Sequence, residues 1–140
     1  MRHLLILFCS LFTLLTIQAQ EYVTDATLEK TVVVNDDELK ILYFTAVWCG
    51  PCKMMAPVMA SLDIDPAVPV SIYKLDTDKN KADDFLRVRS IPTYYFIKNG
   101  HVLGASTGAK SKKAMEQLIA KYDAMPAEGA LLAFPSKNAD

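Results

Sequence analysis

The alternation of apolar and polar positions divides the chain into a leader, a series of short elements and a tail. Arg2 and His3 precede an apolar run from Leu4 to Ile17, which gives way to Gln18-Ala19-Gln20. A basic start, a short apolar core and a small residue ahead of polar sequence form the pattern of a secretory signal peptide. As a helix that run would span about 21 Å, short of the ~30 Å hydrocarbon core of a bilayer. Residues 1–19 are therefore expected to be a leader cleaved near Ala19, with a retained membrane anchor as the alternative. Bulky Phe8 ahead of Cys9 does not suit lipidation of that cysteine.

Beyond the leader the pattern predicts a short strand and a helix between residues 21 and 35, with Thr24 or Asp25 as the helix cap. Ile41 to Ala46 is continuously apolar, as a parallel strand buried on both faces would be. A helix follows from Gly50 to Leu62, interrupted by Pro57, which removes one hydrogen bond and is expected to kink the axis. Val70 to Leu75 is the next strand, and Asp76-Thr77-Asp78 is expected to cap a polar helix reaching about Arg87. Tyr94 to Ile97 and Val102 to Ala105 flank Asn99-Gly100, a hairpin signal. Ser111 opens a last helix with Met115, Leu118, Ile119 and Tyr122 on one face. Strands alternating with helices, then a hairpin and a helix, give an α/β domain with a mixed central β-sheet flanked by helices, over residues 20–122. In the tail, residues 123–140, the patch Leu131-Leu132-Ala133-Phe134 is either docked on the body or loosely ordered.

Composition narrows the function classes. At 140 residues the chain fits one domain with a proper core. A net charge of −1 points to no polyanion, so no nucleic-acid partner is expected. The two histidines, His3 and His101, are too few for a histidine-built metal site. Of three cysteines, Cys9 lies in the leader. Cys49 and Cys52 remain, too close in sequence to staple more than a tiny loop.

Those two cysteines sit where the apolar strand meets the helix. Unpaired N–H groups and the helix dipole favour negative charge on Cys49, and the thiolate is the form that attacks disulfides. Cys52, one turn on, can close onto it, so the pair is read as a reversible dithiol–disulfide couple. A zinc site would need four ligands, and no second Cys-x-x-Cys or His pair exists. Met54, Met55 and Met59 offer thioethers to copper, but flexible apolar filler explains them more simply. A purely structural disulfide stays open as an alternative.

Trp48-Cys49-Gly50-Pro51-Cys52-Lys53 resembles the active site of the thioredoxin family. Ile91-Pro92-Thr93 is similar to that family's cis-proline loop, Lys98-Asn99-Gly100 to its hairpin turn and Thr107-Gly108-Ala109 to its late glycine. Together these span roughly Glu38 to Tyr122. The resemblance implies a thioredoxin-like fold and an enzyme that reduces protein disulfides, with the Cys49–Cys52 disulfide in place of a cofactor and no metal. Cys49 would attack and be the more exposed sulfur, and Cys52 would resolve the mixed disulfide. Trp48 would supply an apolar rim, Gly50 and Pro51 a helix start that leaves room for a docking protein, and Lys53 nearby positive charge. Pro92 would face the cysteines in a cis bond rather than start a strand as a trans proline. Ile91 would pair with an extended substrate, and Gly108 would keep the groove shallow.

One position departs from that pattern. Tyr43 stands where the family usually places a buried aspartate, while Lys74 matches the lysine usually paired with it. Tyrosine, which ordinarily titrates at about pH 10, is a poor base near neutral pH. Asp76, two residues along from Lys74 and on the same face, is a candidate substitute. Resolution by Cys52 is expected to be slower or more pH-sensitive than in relatives with the aspartate. Gly50-Pro51 between the cysteines favours a reductant. An oxidase or isomerase, or a non-catalytic chaperone or metal-handling module, is the alternative. With the leader, this implies a monomeric exported protein, in a bacterial periplasm, reduced by a membrane electron-relay partner.

Overall fold

The computed structural model describes residues 20–132. Ten elements follow one another: β1 (Glu21–Val23), α1 (Leu28–Val32), β2 (Lys40–Thr45), α2 (Gly50–Asp63), β3 (Ser71–Asp76), α3 (Ala82–Phe85), β4 (Thr93–Lys98), β5 (His101–Thr107), α4 (Lys112–Asp123) and β6 (Ala130–Leu131). The strands form one six-stranded sheet in the order β1-β3-β2-β4-β5-β6. β2 runs parallel to β3 and antiparallel to β4, so the mixed sheet expected from the sequence is present, with β2 inside it.

That position explains the unbroken apolar run in β2. Successive side chains on a strand point to opposite faces. Ile41 and Tyr43 join one core cluster with Met55, Met59 and Leu62 of α2 and Met115, Ile119 and Tyr122 of α4. Leu42 and Phe44 join a second, with Leu28 and Val32 of α1 and Ala82 of α3. Both faces are covered, so neither set of β2 positions remains polar. α2 runs from Gly50 to Asp63 with Pro57 inside it. Asn99 and Gly100 both take positive φ, 56° and 76°, which is the backbone the tight β4–β5 hairpin requires.

Two expectations about caps are corrected. The polar helix expected up to Arg87 contracts to α3, and Asp76-Thr77-Asp78 forms a turn ahead of it. Its first N–H groups are capped from across the fold: Asp25 accepts from Lys81 N–H at 2.7 Å and from Ala82 N–H at 3.0 Å. Asp25 therefore serves α3, and α1, whose N-cap residue is Thr27, has no side-chain cap bond. A cap contributed by a residue more than fifty positions away leaves no local trace in sequence.

Beyond α4 the chain returns to the sheet. β6 pairs antiparallel with β5, and Leu132 is buried against the second cluster while its N–H donates to Gly100 O at 2.8 Å. Docking is thus the outcome for residues 130–132. Ala133 and Phe134, like the leader, lie outside the described residues.

Tyr94 stands opposite Tyr43 across β4 and β2, the rings stacked at 5.2 Å. It is fully buried, and its hydroxyl finds no hydrogen-bond partner among the described residues. Burial raises its pKa well above the ordinary tyrosine value, with the neighbouring Tyr43 adding to the effect. The folded form therefore holds a proton that the unfolded chain loses above about pH 10, and stability falls as pH rises through that range. Tyr94→Phe removes an unsatisfied hydroxyl and keeps the ring stack. It is expected to raise unfolding free energy by about 1 kcal/mol in urea titrations at neutral pH, and to lessen the alkaline loss.

Candidate active site

The site is built where β2 passes the chain to α2. Cys49 is the N-cap residue of α2, with an extended backbone (φ −75°, ψ 107°), and Pro51 occupies the first turn, where its missing N–H costs nothing. A helix N-cap side chain accepts from the first turn's free N–H groups. Here the acceptor is sulfur: Cys52 N–H donates to Cys49 Sγ at 3.2 Å. The two sulfurs are joined as a disulfide, with Cα atoms 5.2 Å apart. On reduction, the same N–H and the dipole of α2 are in place to stabilise a thiolate on Cys49.

Both cysteines are buried in this oxidised form. The residues are 3% and 2% exposed. Ala46 and Ile91 pack against both, so the disulfide is covered from the side of the proline loop. That loop carries the expected cis bond, between Ile91 and Pro92. The Ile91 carbonyl oxygen lies 3.7 Å from Cys49 Sγ. Gly108 takes φ +87°, donates its N–H to Pro92 O at 2.8 Å, and has open space where a Cβ would stand. Cys49, Cys52, Ile91, Pro92 and Gly108, more than fifty residues apart at the extremes, thus meet at one end of the sheet.

Around them the sequence-derived site residues divide. Trp48 is 66% exposed and forms an apolar rim, with Val47 beside it in sequence at 70%. Its indole N–H is shared between both carboxylate oxygens of Asp78, at 3.1 and 2.9 Å. Asp78 was legible only as a helix cap, and nothing local marks it as the anchor of Trp48. Gly50 has open space around it, and Lys53 is exposed on the first turn of α2. A groove of about 370 Å³ runs between Trp48 and Ile91 and includes Thr77, Asp83, Val88 and Arg89. Of the methionines, Met55 and Met59 are core, and Met54 is exposed on the surface.

Beneath Cys52 the arrangement is polar but uncharged. Tyr43 is buried, and its hydroxyl donates to the carbonyl oxygen of Cys52 at 3.1 Å. Burial, more than any neighbour, pushes its pKa above the ordinary tyrosine value, so it stays a neutral phenol at any physiological pH. Tyr43 therefore holds the first turn of α2 in place, and it is no proton acceptor. Lys74 lines a cleft beside Cys52 together with Tyr43, its ammonium 5.4 Å from the Tyr22 ring centre. Desolvation lowers its pKa, and the charge of Asp63 opposes that shift. Among the described residues, no cluster of three or more His, Cys, Asp or Glu side chains is arranged to hold a metal ion.

Comparison with known proteins agrees with this geometry. The family model described as Thioredoxin matches residues 19–121. The chain is similar to a thioredoxin of Haemophilus influenzae, 43% identical over 102 residues that cover 72% of this chain and 94% of that one. It is also similar to a thioredoxin of Mycobacterium tuberculosis, 40% identical over 95 residues, covering 66% and 80%. Among solved structures, a thioredoxin of Malassezia sympodialis superposes with a TM-score of 0.65 at 28% identity, covering 76% of this chain and 92% of that one.

The N–H on Cys49 Sγ has a measurable consequence. Moving a thiol pKa from about 8.5 to about 7 raises the thiolate fraction at neutral pH by more than tenfold, but part of the gain is lost because a less basic thiolate is a weaker nucleophile. Iodoacetamide should alkylate reduced Cys49 at pH 7 at least about threefold faster than an unstructured peptide thiol. A rate equal to the peptide's would show that the helix start does not activate this sulfur.

Proposed function

This chain belongs to the thioredoxin family and is a thioredoxin-type thiol–disulfide oxidoreductase, and on that premise we propose that it is an exported reductase of protein disulfides. The observation that carries the reading is the Cys49–Cys52 disulfide at the start of α2, with Cys52 N–H on Cys49 Sγ and the Ile91 carbonyl opposite. In the reduced protein, the Cys49 thiolate attacks a substrate disulfide. One substrate sulfur leaves, and the other is held on Cys49 as a mixed disulfide. Cys52 then attacks Cys49 Sγ, closing the internal disulfide and releasing the reduced substrate. Two electrons pass from the dithiol to the substrate, and no cofactor takes part.

The groove between Trp48 and Ile91 supports protein substrates. Its walls are formed by the exposed indole and by the proline loop, where an extended segment can lie against the backbone of Ile91. Gly108 adds no side chain to the floor. The direction of electron flow rests on the Gly50-Pro51 dipeptide. Potentials in this fold run from about −270 mV for thioredoxin to about −120 mV for a strong oxidant, a span of about 7 kcal/mol for two electrons. A potential near the lower value fits the reductase, and one near the upper value fits an oxidase or isomerase.

Export rests on the leader pattern of residues 1–19. No helix among the described residues is long and apolar enough to cross a membrane. A dithiol in an oxidising compartment needs a supply of electrons, and a membrane protein that relays them from the cytoplasm is the partner this reading requires. The protein acts as a monomer.

Two measurements test the proposal. In an insulin-type reduction assay, Cys49→Ser should abolish turnover, and Cys52→Ser should also abolish it while accumulating mixed disulfides with substrate. Residual activity unchanged in both variants would assign the disulfide a structural role. The mass of the protein recovered from the periplasm should correspond to a chain starting at Gln20; a full-length mass there would establish a retained leader.

A further inference from the structure

Resolution by Cys52 poses a problem of proton balance. The attacking group must be a thiolate, and Cys52 is 2% exposed, so its proton needs a route out through the protein. A cleft of about 140 Å³ adjoins Cys52 on the sheet side. It is polar and large enough to hold ordered water. Tyr43, Thr45, Lys53, Lys74 and Asp76 line it together with Cys52.

We propose that Asp76 is the proton acceptor for Cys52, reached through water in this cleft. The proposal rests on the oxidoreductase reading above and specifies how that reaction's second step is completed. Asp76 ends β3 opposite Thr45, the last residue of β2 before the chain turns into the cysteine loop. It is one of the few buried charged residues among those described, at 7% exposed. One carboxylate oxygen accepts from Asp78 N–H at 3.0 Å, and the other lies 3.4 Å from the exposed ammonium of Lys79. Each carboxylate oxygen has two lone pairs, so both retain capacity to accept from water.

The other charged or titratable groups facing the cleft are Tyr22 from β1, Tyr43 from β2, Lys53 from α2 and Lys74 from β3. None of them competes. Tyr22 and Tyr43 are phenols, and Lys53 and Lys74 end in amines that offer donors rather than acceptors. Among the described residues, Asp76 is the only carboxylate lining the cleft. In the step itself, the Cys52 S–H bond breaks and its proton passes through water to Asp76. The Cys52 sulfur forms a bond to Cys49 Sγ as the bond from Cys49 to the substrate sulfur breaks. The substrate leaves as a thiolate, which recovers the proton from Asp76 through solvent. Atoms and electrons balance without any added reactant.

The test isolates this step in the full-length protein. Reduced protein is mixed with oxidised glutathione, quenched rapidly with acid, and the lifetime of the Cys49–glutathione mixed disulfide is read by mass spectrometry between about pH 6 and 8. With a working acceptor, the rate declines less than tenfold per pH unit below the thiol pKa. Asp76→Asn keeps the bond from Asp78 N–H but cannot take the proton. It should prolong the mixed disulfide about tenfold near pH 6.5 and restore the full tenfold dependence per pH unit. Asp76→Glu should return the shallower profile. Attack by Cys49 on glutathione, measured in Cys52→Ser protein, should be the same with and without Asp76→Asn. An Asp76→Asn profile identical to the unaltered protein's, or a slowing of equal size at every pH, overturns the proposal. Disulfide reduction by the unaltered protein stands in either case, so failure here is distinct from failure of the reductase reading.

Discussion

The structure depends on the burial of β2 on both faces. Leu42 and Phe44 are held against α1 and α3, Ile41 and Tyr43 against α2 and α4, and the strand cannot slip without exposing one of these sets to water. Because β2 is fixed, the point at which the chain leaves the sheet is fixed too. Cys49 arrives there as the N-cap of α2, within reach of the Cys52 N–H. The proline loop comes to the same place because β4, which begins at Thr93, is the antiparallel neighbour of β2. A chemically active sulfur is thus positioned by apolar packing that plays no part in its chemistry.

The second constraint concerns what lies under the active helix. Tyr43 and Tyr94 stack across neighbouring strands and fill the space below Cys52 with two neutral rings. One hydroxyl holds the Cys52 carbonyl, and the other has no protein partner among the described residues. This gives α2 a support of neutral rings, and among the described residues it places no ionised group directly beneath Cys52. Charge is displaced sideways into the cleft that Lys74 and Asp76 share. The two cysteines therefore have different surroundings: Cys49 caps the helix start, and Cys52 borders the cleft behind α2.

The outer parts of the molecule are stitched on by single side chains and short backbone pairings. Asp25 ties the first turn of α3 to the segment after β1, and Asn80 Oδ1 accepts from Asp25 N–H while the Asn80 side-chain NH2 donates to Asp76 O. The same region presents Asp78 to Trp48. The turn that bears the proposed proton acceptor is thus also the turn that anchors the rim of the groove. At the opposite edge, β6 pairs with the start of β5, and Leu132 seals the second cluster.

Sequence alone determined the elements whose signals are local. The continuous apolar run of β2, the Asn99-Gly100 hairpin and the cysteine pair ahead of a helix each follow from residues a few positions apart, as does the neutrality of Tyr43. Only the tertiary structure decided the rest, because those features join distant residues. The cap of α3 by Asp25, the grip of Asp78 on Trp48 and the covering of both cysteines by Ile91 involve separations of thirty to more than fifty positions. Local periodicity records which face of an element is buried, but not which side chain from elsewhere will meet its free N–H groups or line its cavities. That is set when the sheet is assembled and the ends of β2, β3 and β4 are brought side by side.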